Sequence, residues 1–240
     1  KGVGMDFISS CINANREIYD ILKEADPTLK EPQGKGFGGD ISKKIDLVAE
    51  EIFRYHLEAF GRFDSEESGE SGEGDCRVIV DPLDGSDNFA SDIPFYGTSV
   101  ALEIDGRIRE SFVCNLVTGT YYRKSGPNEM KGSVITRQVI PYEPNPHASV
   151  GIFEKSYARP DLVEKVHRCG LKFRTPGALA LSLAMAREVT FVLFAGSMRE
   201  YDIAAGWHIN EELFCYRDEE LLLVSSNREI FDKLYHELKG

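Results

Sequence analysis

The sequence is poor in several things that would each have pointed to a chemistry. It has one tryptophan, five histidines and five cysteines in 240 residues. Cys11, Cys76, Cys114, Cys169 and Cys215 are scattered, odd in number and free of C-x-x-C spacing. A disulfide framework and a zinc ribbon are therefore not expected, and a reducing cytoplasm is the expected compartment. No apolar run is long enough to span a bilayer and no signal-peptide pattern appears, so no membrane partner is expected. Positive charge is scarce: 28 Lys and Arg face 40 Asp and Glu, a formal net charge of −12. Nucleic acid is excluded as a partner on that balance, because a backbone binder needs a basic face. An acidic chain acting on an acidic substrate would need cations to invert the local field.

The hydrophobic fraction of 42% and charged fraction of 28% are those of an ordinary globular protein. Lys1 to Gly4 precede Met5 and are set aside from fold reasoning. Apolar residues recur at helical spacing over residues 6–25 and again from Ile41 to Phe60, predicting two long amphipathic helices. Between them, residues 31–40 hold four glycines and read as a mobile loop, either a connector or a lid carrying Asp40. Strands are expected at 78–80, 96–104, 107–116 and 120–124, with Asp105-Gly106 as a hairpin turn. A lobe boundary is expected in the Pro/Gly/Asn-rich stretch 125–147, giving an N-terminal lobe over 5–140 and a C-terminal α/β lobe over 141–240. In the second lobe, strands at 150–153, 190–195 and 221–224 and a short one ending at Phe173 alternate with helices at 161–169, 176–188, 201–213 and 227–238.

The densest chemistry lies at Asp81 to Phe89, DPLDGSDNF. Val78-Ile79-Val80 leads into it as a buried strand, and Pro82 is expected to end that strand. Asp81 and Asp84 then stand close together at a strand mouth. Neighbouring carboxylates raise each other's pKa unless a cation sits between them, and hard oxygen ligands suit Mg²⁺ or Mn²⁺. The amides of Gly85 and Ser86 face forward at a turn or helix start, where an anion is welcome. The string alone also reads as a plain turn, since Asp-Pro and Asp-Gly are common turn formers. Likewise Asp46 alone is a helix-dipole complement, Asp202 an N-cap and Ser65-Glu66-Glu67 part of an acidic loop.

Taken together, IDLVAEE at Asp46, SEE at Ser65–Glu67, DPLDGSDNF, the TPGAL segment and YDIAAG at Tyr201–Gly206 resemble the inositol monophosphatase family. That family belongs to the lithium-sensitive, magnesium-dependent phosphatases that include fructose-1,6-bisphosphatase. The resemblance implies an α/β, α+β layered fold, the αβαβα sandwich of the family, and a homodimer. It implies hydrolysis of a small phosphorylated metabolite by a metal-activated water, with two or three Mg²⁺, or Mn²⁺, per site. Glu66, Asp81 and the Leu83 carbonyl would hold the first metal; Asp81, Asp84 and Asp202 the second; Glu66 and lid residue Asp40 a third. Asp46, Glu66 and Ser86 would be catalytic, with Ser86 hydrogen-bonded to Asp46. Asp84, Gly85, Ser86, Gly177, Arg199 and Asp202 would contact substrate.

The chain also departs from the animal inositol-specific pattern. No carboxylate stands at Phe194-Ala195-Gly196, Thr190 stands near the place of an expected Asp, and the region after Gly206 is short and lacks a Gly-Gly segment. The GGDIS lid and IPFYGTSVAL look closest to microbial enzymes with mixed inositol and fructose-bisphosphate activity. A 3′-phosphoadenosine 5′-phosphate phosphatase is disfavoured, because Asp87 follows Ser86 where that group carries a lysine. A relative that binds without catalysing should have lost a carboxylate, and Asp46, Glu66, Asp81, Asp84 and Asp202 are all present.

Overall fold

The computed structural model describes residues 6–240; the set-aside segment and Met5 lie outside them. The helices are α1 (Phe7–Lys23), α2 (Lys44–Leu57), α3 (Ser86–Ala90), α4 (Pro160–Arg168), α5 (Leu179–Ala184), α6 (Glu200–Ile209) and α7 (Arg228–Lys239). The strands are β1 (Pro32–Lys35), β2 (Ile41–Lys43), β3 (Arg62–Ser65), β4 (Gly69–Ser71), β5 (Arg77–Asp84), β6 (Gly97–Ile104), β7 (Arg107–Asn115), β8 (Thr120–Ser125), β9 (Asn128–Ser133), β10 (Val139–Pro141), β11 (Gly151–Glu154), β12 (Phe173–Arg174), β13 (Val192–Ala195), β14 (Phe214–Arg217) and β15 (Leu221–Ser225). An eight-stranded sheet runs β10-β9-β8-β7-β6-β5-β3-β4, and a five-stranded sheet runs β12-β11-β13-β15-β14.

Period-two alternation explains the layering. Val78, Val80, Val100, Leu102, Phe112 and Cys114 point from the large sheet to α1 and α2. Ile79, Ala101 and Val113, the residues between them, point to Ala178, Leu181, Ala205 and Ile209 of the α5–α6 region. Those helices also cover Ile152, Val192, Phe194, Leu222 and Val224 of the small sheet. Its other face, Phe153, Leu193 and Leu223, packs on α4 and α7. Five layers follow: helices, sheet, helices, sheet, helices. Gly206 sets the middle layer's thickness, since a Cβ there would lie 2.5 Å from the Leu183 Cβ. The Asp105-Gly106 turn has φ of 55° and 70°, the primed geometry that a tight hairpin needs.

Several boundaries differ from the sequence reading. The second helix starts at Lys44, because residues 41–43 pair with 32–35 as a hairpin; the segment read as a mobile loop is thus partly strand. The expected helix 176–188 shrinks to α5. Gly177 takes φ +91°, so Pro176 lies outside the helix rather than in its first turn. The 201–213 helix begins at Glu200 and stops at Ile209, and strands β9, β10 and β14 were not anticipated. Pro82 does not end its strand. Pairing with β6 runs from Asp81↔Ser99 to Asp84↔Gly97 across an irregularity, and Pro82, lacking an N–H, falls in that irregular stretch.

Candidate active site

That irregularity builds the site. Residues three apart on a regular strand point to opposite faces. With the bulge between them, Asp81 and Asp84 both line one cavity of about 670 Å³. Parallel pairing of β3 with β5, Ser65 opposite Val80, sets Glu66 at the same strand mouth. Asp202 arrives in the first turn of α6. One oxygen each of Glu66, Asp81 and Asp202 lies within 4.8 Å of the others. Asp84 stands on the cavity wall outside that trio, and its Oδ2 accepts the Leu181 amide at 2.8 Å, one of the unpaired N–H groups of the α5 N-terminus.

Three of these carboxylates are costly as anions. Burial pushes the Asp81 carboxyl well above its usual range, with Glu66, Asp84 and Asp202 adding to it. Burial does the same to Asp84, opposed by the Leu181 amide and reinforced by Asp202 and Glu154. Glu66 is pushed up to about 7, by burial first, against the pull of Arg199. Arg199 is the cation in the cluster. Its Nη1 lies 2.6 Å from Glu66 and 2.7 Å from Asp40, and its Nε lies 3.2 Å from Asp202. A guanidinium thus touches two of the three clustered carboxylates, which is the charge and donor chemistry that a hard divalent cation would meet. The residues fit such an ion: buried hard oxygens, converging, and under-neutralised.

The remaining predicted residues fall on the same cavity with some changes. Gly85 takes φ +86° at the start of α3, and a Cβ there would sit 3.0 Å from both Ala178 Cβ and the Phe95 carbonyl oxygen. Only glycine tolerates both demands. Asp46 lines the cavity at 2% exposure and is pushed up to about 7 by burial. The expected Ser86–Asp46 hydrogen bond is not formed. Asp46 Oδ2 accepts the Lys43 amide, its Oδ1 has no partner, and the Ser86 hydroxyl takes Lys43 Nζ at 3.2 Å. Lys43 lies between the two, its amide on Asp46 and its ammonium on the Ser86 hydroxyl. Gly177 lines the cavity, yet its amide donates to Glu154 at 2.9 Å. Asp40 lines the cavity at its mouth, exposed, with its carboxylate paired to Arg199. The tip between β1 and β2 is held down by the Phe37 and Gly38 amides on the Glu67 and Glu66 carbonyls, at 2.9 and 2.7 Å.

Glu154 was missed. It is 2% exposed, lines the cavity, and accepts the Gly177 and Ala178 amides and the Ser182 hydroxyl. Its one signal is position, at the carboxyl end of a strand where α/β sheets place ligand-facing groups. Lys43, which also lines the cavity, was missed as well.

The inositol monophosphatase family model matches residues 7–220. The chain is 33% identical over 208 residues to the fructose-1,6-bisphosphatase/inositol-1-monophosphatase of Thermococcus kodakarensis, covering 81% of this chain and 77% of that one. It is 31% identical over 212 residues to the fructose-1,6-bisphosphatase of Pyrococcus furiosus, covering 82% and 81%. The fold superposes on the extragenic suppressor protein SuhB of Bartonella henselae with a TM-score of 0.79, at 22% identity over 97% of this chain and 98% of that one. The family is one of metal-dependent phosphoric monoester hydrolases with this layered α/β architecture, and the chain belongs to it: the inositol monophosphatase family.

Proposed function

We propose that the chain hydrolyses a small phosphate monoester, an inositol or sugar phosphate, with Mg²⁺ as its cation and Mn²⁺ as a substitute. One observation carries this reading: Glu66, Asp81, Asp84 and Asp202 share one cavity, the first three are pushed toward protonation by burial and by neighbouring carboxylates, and the set meets a single guanidinium. Such a set is stable as anions only when cations join it. Glu66, Asp81 and the Leu83 carbonyl would hold one ion, Asp81, Asp84 and Asp202 a second, and Glu66 with Asp40 a third. Ions held there neutralise phosphate charge and acidify the attacking water.

The chain's own groups supply the rest. The Gly85 and Ser86 amides, at the start of α3, receive a phosphate oxygen. Asp46, with a free Oδ1 and a pKa raised to about 7, accepts a proton near neutral pH. Lys43 holds the Ser86 hydroxyl in place. Arg199 exchanges Glu66 and Asp202 for the substrate's phosphate once cations satisfy those carboxylates. Lys155 lines the cavity with its ammonium 5.5 Å from the Phe194 ring centroid. That charge, with no carboxylate at Phe194-Ala195-Gly196, favours fructose 1,6-bisphosphate as a second reading. The homodimer expected from the resemblance is part of the same proposal. So is a reducing cytoplasm, supported by the five free cysteines; among the described residues no helix is long and apolar enough to cross a membrane.

The test is phosphate release from inositol 1-phosphate, fructose 1,6-bisphosphate and 3′-phosphoadenosine 5′-phosphate, with Mg²⁺ and with a chelator. Release from the first two only, and only with cation, is expected. Release that survives chelation overturns the metal reading. Lys155→Ala should raise KM for the bisphosphate and leave inositol 1-phosphate unchanged.

A further inference from the structure

A second cavity, of about 740 Å³, opens between α6 and the β6–β7 hairpin. It uses another face of α6 from the one that carries Asp202. Trp207, the chain's single tryptophan, is on its wall together with Ile203 and Ala204. Arg107 and Arg109 enter from β7, and Arg217 from the end of β14. The Arg217 guanidinium stands 5.5 Å from the Trp207 ring centroid.

The charges here are sorted. Glu103, Glu200 and Glu211 also line the cavity, but each is already met by a cation set behind the wall. Arg77 lies 3.0 Å from Glu103 and 2.7 Å from Glu200. Lys124 lies 3.0 Å from Glu211. Among the described residues no ion pair is recorded for Arg107, Arg109 or Arg217, and all three are exposed. On a chain of net charge −12, three guanidinium groups without an ion pair therefore line one cavity with the indole. Guanidinium groups bind phosphate in a planar, bidentate fashion, and both they and indole stack on flat rings. The volume is within the usual range for a small-molecule site.

We infer that this cavity binds a nucleoside phosphate, its ring against Trp207 and Arg217 and its phosphates on Arg107 and Arg109. The site is separate from the phosphatase cavity and does not depend on the reaction proposed there.

Trp207 makes the test direct, because indole fluorescence comes from that residue alone. The full chain in Mg²⁺ is titrated with ADP, and in parallel with adenosine and with inorganic phosphate. ADP should quench saturably and bind at least ~10-fold more tightly than either fragment. Arg107→Ala/Arg109→Ala should weaken ADP binding by ~10-fold or more, the loss expected for a charged hydrogen bond. Turnover without nucleotide and the thermal midpoint should be unchanged, since both side chains are exposed and unpaired. The quench should survive Asp84→Asn. An absent quench, an ADP affinity unchanged in the arginine variant, or phosphate binding as tight as ADP overturns the inference. So does loss of the quench in Asp84→Asn, which would put the nucleotide in the phosphatase cavity. A fall from dimer to monomer mass in the arginine variant would assign the arginines to a second copy of the chain, and overturns it too.

Discussion

The two ends of α6 hold two buried charge clusters built on opposite plans. At the N-terminus, Asp202 joins Glu66, Asp81 and Asp84, and Arg199 alone opposes them. Past the C-terminus, Glu211 joins Glu129 around Lys124, at 3.0 and 2.9 Å, and Lys124 is 1% exposed. Arg187 adds a second cation 3.7 Å from Glu129. Glu212 also lies 3.8 Å from Lys124, but it and Glu211 reach solvent; the buried members, Lys124, Arg187 and Glu129, are compensated by the polypeptide itself. The first cluster is not, although the same helix and the same sheet present both. A protein able to balance a buried lysine could have balanced its carboxylates with another lysine. That it leaves them short of charge marks the N-terminal cluster as a place for ions from solution, and the C-terminal one as structure.

Removing the charge that closes the balanced cluster should have the largest effect on stability. Lys124→Met leaves buried Glu129 with only Arg187, 3.7 Å away, and losing one member of a buried pair costs about 3 kcal/mol. The denaturant midpoint should fall with the slope unchanged, while kcat stays at the parent value. Lys124→Met/Glu129→Gln should recover much of the loss. A fall in kcat without loss of stability would break the contrast.

The unbalanced cluster should respond the other way. Asp84→Asn should lower kcat at least ~10²-fold, as for loss of an electrostatic stabiliser in other enzymes, with little loss of stability, because the amide oxygen can still accept the Leu181 N–H. Steady-state kinetics and thermal unfolding on one preparation decide it. Full turnover in this variant would remove Asp84 from the chemistry.

This contrast was half legible in the sequence. Dense strings gave the acidic end away: Asp81 to Phe89 and Tyr201 to Gly206 combine turn formers, small residues and carboxylates that ordinary packing does not require. The long helices and the β6–β7 hairpin also showed, because periodicity and an Asp-Gly turn are local signals. Lys124 did not show, since a lysine in a meander strand looks solvent-facing until another element is laid over it. Glu154 stayed hidden for the same reason: its partners are amides of Gly177 and Ala178, more than twenty residues on. Pro82 misled, because a bulge and a strand end share one local sequence. The Ser86–Asp46 contact failed because Lys43, the N-cap of α2, takes both groups, its amide on Asp46 and its ammonium on Ser86.

Cation dependence should carry a pH signature. Burial raises Glu66 and Asp46 to about 7, above their unfolded values. A raised carboxyl binds more protons folded than unfolded, so its contribution is present below about pH 4.5 and lost as pH rises through 7. Stability is lost this way in chelated protein above neutral pH. Saturating Mg²⁺ should restore it, by about 2.7 kcal/mol at a hundredfold excess over Kd. Thermal midpoints at pH 5 and pH 8, with Mg²⁺ and with chelator, should therefore diverge most at pH 8. Equal Mg²⁺ stabilisation at both values would mean that the carboxylates are already ionised without it.

The smallest effect belongs to the balanced end, and its pH slope has the opposite sign. His208 is buried with its Nδ1 2.8 Å from the Ser111 hydroxyl, and burial lowers its pKa below the usual 6.5. A lowered imidazole binds more protons unfolded than folded, so the stability it contributes holds above pH 6.5 and is lost as pH falls below it. Ser111→Ala removes the partner of the neutral ring and should cost about 1 kcal/mol at pH 8, with kcat unchanged. The cost should shrink below pH 6 as the ring's neutral form ceases to dominate the balance with the unfolded chain. Denaturation midpoints of parent and variant at pH 5.5 and 8 measure this. A cost that grows toward acid would mean that the hydroxyl accepts from a charged imidazolium, and that this end of α6 holds a cation more than the geometry assigns it.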